Sequence, residues 1–184
     1  MRGFTLIELL VVMGITMMLS VSAIGYSRTG EETLNLQISV QKVLTDINQV
    51  TSYALSSPGR KSNPNERYCG FGIHFDQGKE TYIVFGDVRP SGTDKKCSDS
   101  DRKYVEGADD KLFSSALKHS TIDNTGGVND ILFVPPDPTL YITNGSGMAT
   151  TTTSVEIKIK GRGDTGSICV NPIGQTTIKR GVSC

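Results

Sequence analysis

Tryptophan is absent from this sequence of 184 residues, and histidine occurs only twice, at His74 and His119. Net charge is absent as well, because 19 basic residues balance 19 acidic ones, so overall charge indicates neither an acidic nor a basic partner. The chain contains no G-x-S-x-G, H-E-x-x-H or phosphate-binding glycine loop. Since no set of nucleophile, base and acid is visible, we predict that the protein is not an enzyme and has no catalytic residues.

Closely spaced metal ligands are also missing. A structural zinc site needs cysteines and histidines at short spacings, whereas the four cysteines form no C-x-x-C pair and both histidines are isolated. A calcium loop needs acids at alternate positions, then a glycine and a later glutamate. The acids around Cys97 lack that spacing: Asp99, Asp101, Asp109 and Asp110. We therefore predict neither a metal nor a cofactor.

Charged residues are nearly missing from the segment Phe4 to Ile24, in which Glu8 is the single charge. At ~1.5 Å rise per residue this segment makes a helix of roughly 30 Å, the thickness of the hydrocarbon core of a bilayer. We predict that residues 4–24 form a transmembrane helix. A carboxylate inside such a segment costs on the order of 2.5 to 3.5 kcal/mol on insertion scales, so Glu8 requires a partner.

The string from Gly3 to Val12, GFTLIELLVV, closely resembles the class III signal of type IV pilins and of the pseudopilins of type II secretion. The resemblance implies that prepilin peptidase removes residues 1–3 as a leader by cutting after Gly3, and that it methylates the amine of Phe4. It also implies that Glu8 pairs with the N-terminal amine of a neighbouring subunit, which supplies the partner that a buried charge needs. The alternative is that Glu8 snorkels to the interface of a monomeric membrane anchor.

Residues 25–57 continue the helix with a different pattern. Gly25 and Gly30 predict a bend or a melted turn between the two halves. Beyond them, apolar residues recur at alternating steps of four and three, which predicts an amphipathic helix that lies against a folded body and ends before Pro58. A free coiled coil is the alternative, but its apolar seam is narrower. The predicted buried stripe is Leu36, Val40, Val43, Ile47, Val50 and Ala54, broadened by Leu34, Ile38, Leu44 and Leu55, and the predicted polar face includes Gln37, Gln41, Lys42, Asp46 and Gln49.

The pattern changes to β after the helix. Residues alternate in polarity from Tyr68 to Phe75, and a DQGK turn leads into a second strand, which predicts a β-hairpin with His74 directed outward as a surface imidazole. A second hairpin is predicted near the C-terminus, with its turn at Asn171 to Gly174. The predicted strands are residues 68–75, 80–85, 111–118, 120–122, 130–134, 139–143, 152–160, 167–171 and 175–179.

All four cysteines follow the apolar segment. Arg2 and the processing signal predict a cytoplasmic N-terminus, so everything after the span lies outside, in an oxidising compartment. The even count then predicts two disulfides, for which three pairings are possible. We favour Cys69 with Cys97 and Cys169 with Cys184, because sequential pairing closes short local loops.

These patterns predict an α+β fold of the pilin-like kind. A long N-terminal α-helix, with a transmembrane first half and an amphipathic second half, packs on a mainly antiparallel β-sheet domain of residues 60–184. The strings F-G-I-H-F-D, Y-I-V-F and I-C-V-N-x-x-G are also similar to the GspH/FimT branch of pseudopilins and minor pilins.

The predicted function is structural. The resemblance implies a minor pilin or pseudopilin that lies in membrane lipid before assembly, is processed by prepilin peptidase and meets the inner-membrane assembly platform. It then packs with other pilin or pseudopilin subunits in a type IV pilus or a type II secretion filament. Its implied location is a single-pass cell-membrane protein with a cytoplasmic N-terminus and an extracytoplasmic C-terminal domain.

A second hypothesis is a minor pilin that binds DNA during uptake, as some members of the resembled branch do. Phosphate contacts need positive side chains at a suitable spacing. Because no aromatic residues are interleaved with the basic ones, this hypothesis is the weaker of the two. The basic residues that would gather if the last strands are neighbours are Lys158, Lys160, Arg162, Lys179 and Arg180.

Overall fold

The fold is α+β, as predicted, with one N-terminal helix and ten strands in the part of the chain that the structure describes. The structure is a computed structural model, and it describes residues 5–56, 58–60, 67–88, 97, 102–123, 127–136, 139–144, 149–150, 154–180 and 184. The helix is α1 (Leu6–Ser56), and the strands are β1 (Gly70–Phe75), β2 (Thr81–Asp87), β3 (Asp110–Ala116), β4 (Thr121–Ile122), β5 (Val128–Val134), β6 (Thr139–Asn144), β7 (Ala149–Thr150), β8 (Val155–Lys160), β9 (Thr165–Val170) and β10 (Thr176–Arg180).

The helix α1 has 51 residues and continues through Gly25 and Gly30, so the predicted melted turn does not form. Its first part, from Leu6 to Val21, projects away from the β-strands. Every large apolar side chain described between Leu6 and Val21 is more than half exposed. Among the residues that the structure describes, no helix has an apolar stretch long enough to cross a membrane.

The strands form two antiparallel sheets. The larger has six strands in the order β3-β2-β1-β5-β6-β7, and the smaller has four in the order β10-β9-β8-β4. Both predicted hairpins are confirmed, since β1 pairs with β2 and β9 pairs with β10. Strand β7 has only two residues, too few for an alternating pattern, and it was missed.

The second part of α1 packs against both sheets, on β1 and β5 of the larger and on β8 and β9 of the smaller. The predicted central stripe is confirmed, because Val43, Ile47, Val50 and Ala54 are fully buried. The broad stripe was wrong at three positions: Leu34, Ile38 and Leu55 are 58%, 54% and 63% exposed. The two sheets and their connections, called the β-body below, therefore cover a narrower arc of the helix than the sequence pattern predicts.

Asp46 was predicted to lie on the polar face of the helix, and this prediction was wrong as well. Its side chain is buried and accepts hydrogen bonds from the Tyr82 hydroxyl, at 2.6 Å, and from the Ser115 hydroxyl, at 2.7 Å. Burial and the hydrogen bond to Asp46 raise the pKa of Tyr82, so this phenol stays protonated and donates. One carboxylate thus joins α1 to β2 and β3.

Close contact between α1 and the smaller sheet depends on Gly166. A Cβ atom at this position would lie 2.6 Å from Cγ2 of Val40, too close for any side chain. The missing side chain therefore lets β9 lie directly against the helix.

Candidate functional site

The N-terminal end of α1 contains a hydrogen-bonded pair, Thr5 and Glu8. The backbone N–H of Thr5 donates to Oε2 of Glu8 at 3.0 Å, and the Thr5 hydroxyl donates to the same oxygen at 2.9 Å. The backbone N–H of Glu8 lies 3.4 Å from the Thr5 hydroxyl oxygen. This reciprocal arrangement is a capping box, which satisfies backbone donors at the start of a helix. Gly3 and Phe4, the predicted processing residues, lie outside the described residues.

The Glu8 carboxylate is held in place but remains accessible. Both hydrogen bonds from Thr5 go to Oε2, and within the described part of the chain Oε1 accepts none. The side chain is exposed. The site can therefore accept a further hydrogen bond from a cationic donor such as an amine, which is the chemistry predicted for Glu8.

Between Leu34 and Ser56 the outward face of α1 carries one charge, that of the exposed Lys42. Between Leu34 and Ser56 the charged residues are Lys42 and Asp46, and both bond to the β-body. The Lys42 ammonium donates to the Ala116 carbonyl at 3.0 Å, and Asp46 is buried as described above. The other exposed residues of this side are uncharged: Leu34, Ile38, Gln41, Thr45, Asn48, Gln49, Ser52, Leu55 and Ser56. A surface-exposed helix usually carries charges on its solvent side, so this face has the composition of a contact surface.

Three of the five predicted basic residues lie on one face of the smaller sheet. Lys158 is opposite Ser167 on β9, which is opposite Lys179 on β10, so the two lysines share a row across three strands. Lys160 lies two residues along β8 and so on the same face. Lys158 is partly neutralised, because its ammonium lies 3.5 Å from Oε2 of Glu156.

Arg162 does not join this face. The Arg162 guanidinium lies 3.8 Å from a carboxylate oxygen of Glu32 on α1. The side chain of Arg180 lies outside the described part of the structure. Among the side chains that the structure describes, three lysines of the predicted basic set therefore share this face.

Both predicted disulfides are present. Cys69 bonds to Cys97, with their Cα atoms 5.1 Å apart, and Cys169 bonds to Cys184, with their Cα atoms 5.8 Å apart. The first attaches the segment before β1 to the long connection between β2 and β3. The second attaches the C-terminus to β9. Among the described residues, no group of three or more metal-binding side chains is present.

The sequence prediction for His74 was wrong. The imidazole is largely buried, with 19% of its side chain exposed, and Nδ1 lies 2.7 Å from Oδ1 of Asp130. The other nitrogen, Nε2, lies 3.3 Å from Oδ1 of Asp76. Polarity alternation correctly places His74 on the face opposite Phe75, but no local signal tells which segment covers that face. Because Nε2 faces a carboxylate and not a hydroxyl or thiol, this pair activates no nucleophile.

Comparison with known families gives one match. A family model described as the prokaryotic N-terminal methylation motif matches residues 1–24, which contain the predicted processing residues and the Thr5–Glu8 pair. The motif is the signal of type IV pilins and pseudopilins. Searches of curated proteins and of solved structures find no match.

Proposed function

We propose that this chain is a minor pilin or pseudopilin, a filament subunit that assembles through its N-terminal helix after prepilin peptidase cuts between Gly3 and Phe4. The observation that carries the proposal is the methylation motif at residues 1–24, on a helix whose first part is apolar and leaves the β-body altogether. Apolar side chains exposed along so long a helix require another apolar environment. Membrane lipid provides that environment before assembly, and the helices of other subunits provide it afterwards.

Glu8 is the assembly residue in this proposal. Cleavage after Gly3 creates a new ammonium at Phe4, and the accessible Oε1 of Glu8 on a neighbouring subunit accepts its hydrogen bond. The ion pair compensates both charges, which would otherwise be unpaired inside a bundle of apolar helices. The Thr5 contacts keep the carboxylate oriented until the amine arrives.

The inner-membrane assembly platform and the other subunits are the proposed partners of the helix. The outward face from Leu34 onward, with Lys42 as its single charge, extends the contact surface beyond the apolar first part of α1. The β-body is then displayed on the outside of the filament, where its two disulfides stabilise it in an oxidising environment.

Mass analysis of the mature chain tests the processing step. We expect the chain to begin at an N-methylated Phe4, without Met1, Arg2 and Gly3. A mature chain that keeps its first three residues, or that begins elsewhere, would contradict the proposal.

Substitution of Glu8 tests the assembly step separately. We expect Glu8→Ala to be processed and methylated normally, but to be recovered in sheared filaments at roughly one tenth or less of the wild-type amount, since one unpaired amine remains in each contact. Glu31→Ala, which removes an exposed acid further along the same helix, is the matched control and should assemble normally. Normal assembly of Glu8→Ala would rule out the pairing role.

DNA binding is the second candidate, and the row formed by Lys158 and Lys179 is the observation that favours it. The experiment is a mobility shift of a labelled duplex with the full chain in detergent, at low and at moderate salt. Binding that weakens with salt and disappears in Lys158→Glu/Lys179→Glu supports a phosphate-binding face. If no shift occurs at low salt, the candidate is excluded.

A further inference from the structure

One face of the six-stranded sheet is turned away from α1, and the segment of residues 102–109 crosses it. The ring of Tyr104 lies 5.3 Å from that of Phe85 on β2. The guanidinium carbon of Arg102 lies 3.9 Å above the ring of Tyr141 on β6. The segment therefore spans the central strands of the sheet from β2 to β6.

A polar row on the same face holds the middle of this segment. The strand register places His74 of β1 opposite Asp130 of β5, and Asp130 next to Thr143 of β6. Asp130 is buried and accepts three hydrogen bonds: from the Thr143 hydroxyl, from His74 Nδ1 at 2.7 Å, and from the backbone N–H of Tyr104 at 3.3 Å. The His74 ring also lies 5.0 Å from the ring of Tyr104. Tyr104 thus contacts this pair twice, through its ring with His74 and through its backbone N–H with Asp130.

The two ring nitrogens of His74 both face carboxylate oxygens, Nδ1 towards Asp130 and Nε2 towards Asp76 in the turn after β1. An ionised carboxylate only accepts hydrogen bonds, so each contact needs an N–H. A neutral imidazole has one N–H, and only the imidazolium has two. Both contacts can therefore be hydrogen bonds at the same time only when His74 is protonated.

The surroundings of His74 favour the same state. Burial disfavours the charged ring, but the hydrogen bond and charge of Asp130, assisted by Asp76, outweigh it and raise the pKa of His74 above its usual 6.5. In the described part of the chain, the groups facing the ring are Asp130 from β5, Asp76 from the hairpin turn and Tyr104 from the crossing segment.

We propose that His74 is a proton-operated clamp, which in its protonated form bridges Asp130 and Asp76 and fastens the segment of residues 102–109 to the sheet. Loss of the proton leaves an Nε2 lone pair facing the Asp76 carboxylate, and the contact becomes repulsive. Because folding raises the affinity of His74 for its proton, the stabilisation is complete below about pH 6.5 and is lost as pH rises through the higher value of the folded state. This inference is independent of the function proposed above. It predicts that the order of residues 102–109, on the face that would be displayed, depends on pH.

Hydrogen–deuterium exchange of the full chain in detergent micelles tests the clamp, measured at about pH 5.5 and about pH 8.5 and corrected for the intrinsic rate at each pH. We expect protection of residues 102–109 to fall roughly tenfold at the higher pH, while β5 stays protected. His74→Gln, which cannot be protonated, should give the weaker protection at both pH values. His119→Gln removes the other histidine and should respond like the wild type.

The proposal is overturned if wild-type protection of the segment is equal at the two pH values, or if His74→Gln keeps the full response. Asp76→Asn provides a second test in case His74→Gln does not fold, because Asp76 is exposed in a turn. It removes one of the two carboxylates that favour the proton, so the pH of the transition should fall. An unchanged transition in Asp76→Asn would also overturn the clamp.

Discussion

At the scale of single residues, Asp46 is the polar side chain that attaches the helix to the β-body. Its carboxylate accepts from hydroxyl groups on two different strands, at 2.6 Å from Tyr82 and 2.7 Å from Ser115. Hydrogen bonds to a charged group contribute more than neutral ones, and losing the shared acceptor leaves two buried donors unsatisfied. The same three residues also fix how far α1 can slide along β2 and β3.

We expect Asp46→Ala to lower the free energy of unfolding by about 2–4 kcal/mol, measured by urea denaturation of the full chain in detergent. Thr45→Ala changes the neighbouring position on the outward face and should alter stability by no more than about 0.5 kcal/mol. If the two variants were equally stable, the hydroxyl contacts of Asp46 would have no net stabilising effect.

At this scale, Asp46 and His74 are the residues whose burial could not be predicted from the sequence. Periodicity assigned Asp46 to the polar side of α1, although its position lies close to the edge of the buried stripe. Whether such an edge position is buried depends on how the sheet packs against the helix. Glu8 could be identified without the structure, because a charge within an apolar segment is unusual in itself.

At the scale of elements, the helix α1 divides its surface among three environments. One face of its second part is buried by two sheets, the first part is exposed on all sides, and the outward face of the second part is exposed with Lys42 as its single charge. Leu34 and Ile38 are one turn apart on that outward face, and more than half of each side chain is exposed. A substitution there should affect contacts between subunits without affecting the fold.

We expect the free energy of unfolding of Ile38→Lys to lie within about 0.5 kcal/mol of the wild-type value, because the side chain is already 54% exposed. Its recovery in sheared filaments should fall severalfold, since the new ammonium would be desolvated in a helix contact. Ile38→Leu keeps the apolar surface and serves as the control. Wild-type recovery of Ile38→Lys would show that this face remains in solvent.

The strands and both hairpins could be predicted because alternation and turn residues are local signals. The division into two sheets could not, because it depends on pairings between distant segments. Strand β1 pairs with β5 across the long connection that contains Cys97, and nothing in either strand specifies the other. The width of the buried helix face was overestimated for a related reason, since exposed apolar residues of a contact surface have the same pattern as core residues.

At the scale of the whole molecule, the two disulfides close loops of different length, with sequence separations of 28 and 15 residues. In the chain-entropy model, cross-links of these lengths stabilise by about 3.6 and about 3.0 kcal/mol. The longer loop contains β1, β2 and the first part of the connection from β2 to β3, and the shorter one contains the turn after β9 and strand β10.

We expect the double variant Cys69→Ser/Cys97→Ser to lose about 3.6 kcal/mol of unfolding free energy, and Cys169→Ser/Cys184→Ser to lose about 3.0 kcal/mol. The measurement is urea denaturation of each variant beside the oxidised wild type. Reduction of the wild type should lower stability below that of either variant. A variant as stable as the wild type would mean that the corresponding cross-link constrains nothing in the unfolded chain.

The position of α1 across both sheets has a mechanical consequence. The buried stripe from Leu36 to Ala54 extends about 27 Å along the helix axis. A force that pulls the helix along its axis, as tension in a fibre does, must shear this whole contact at once and cannot peel it apart residue by residue. Both sheets contact the helix and bear this load, and the hydroxyl groups bound to Asp46 resist the first ångströms of slip.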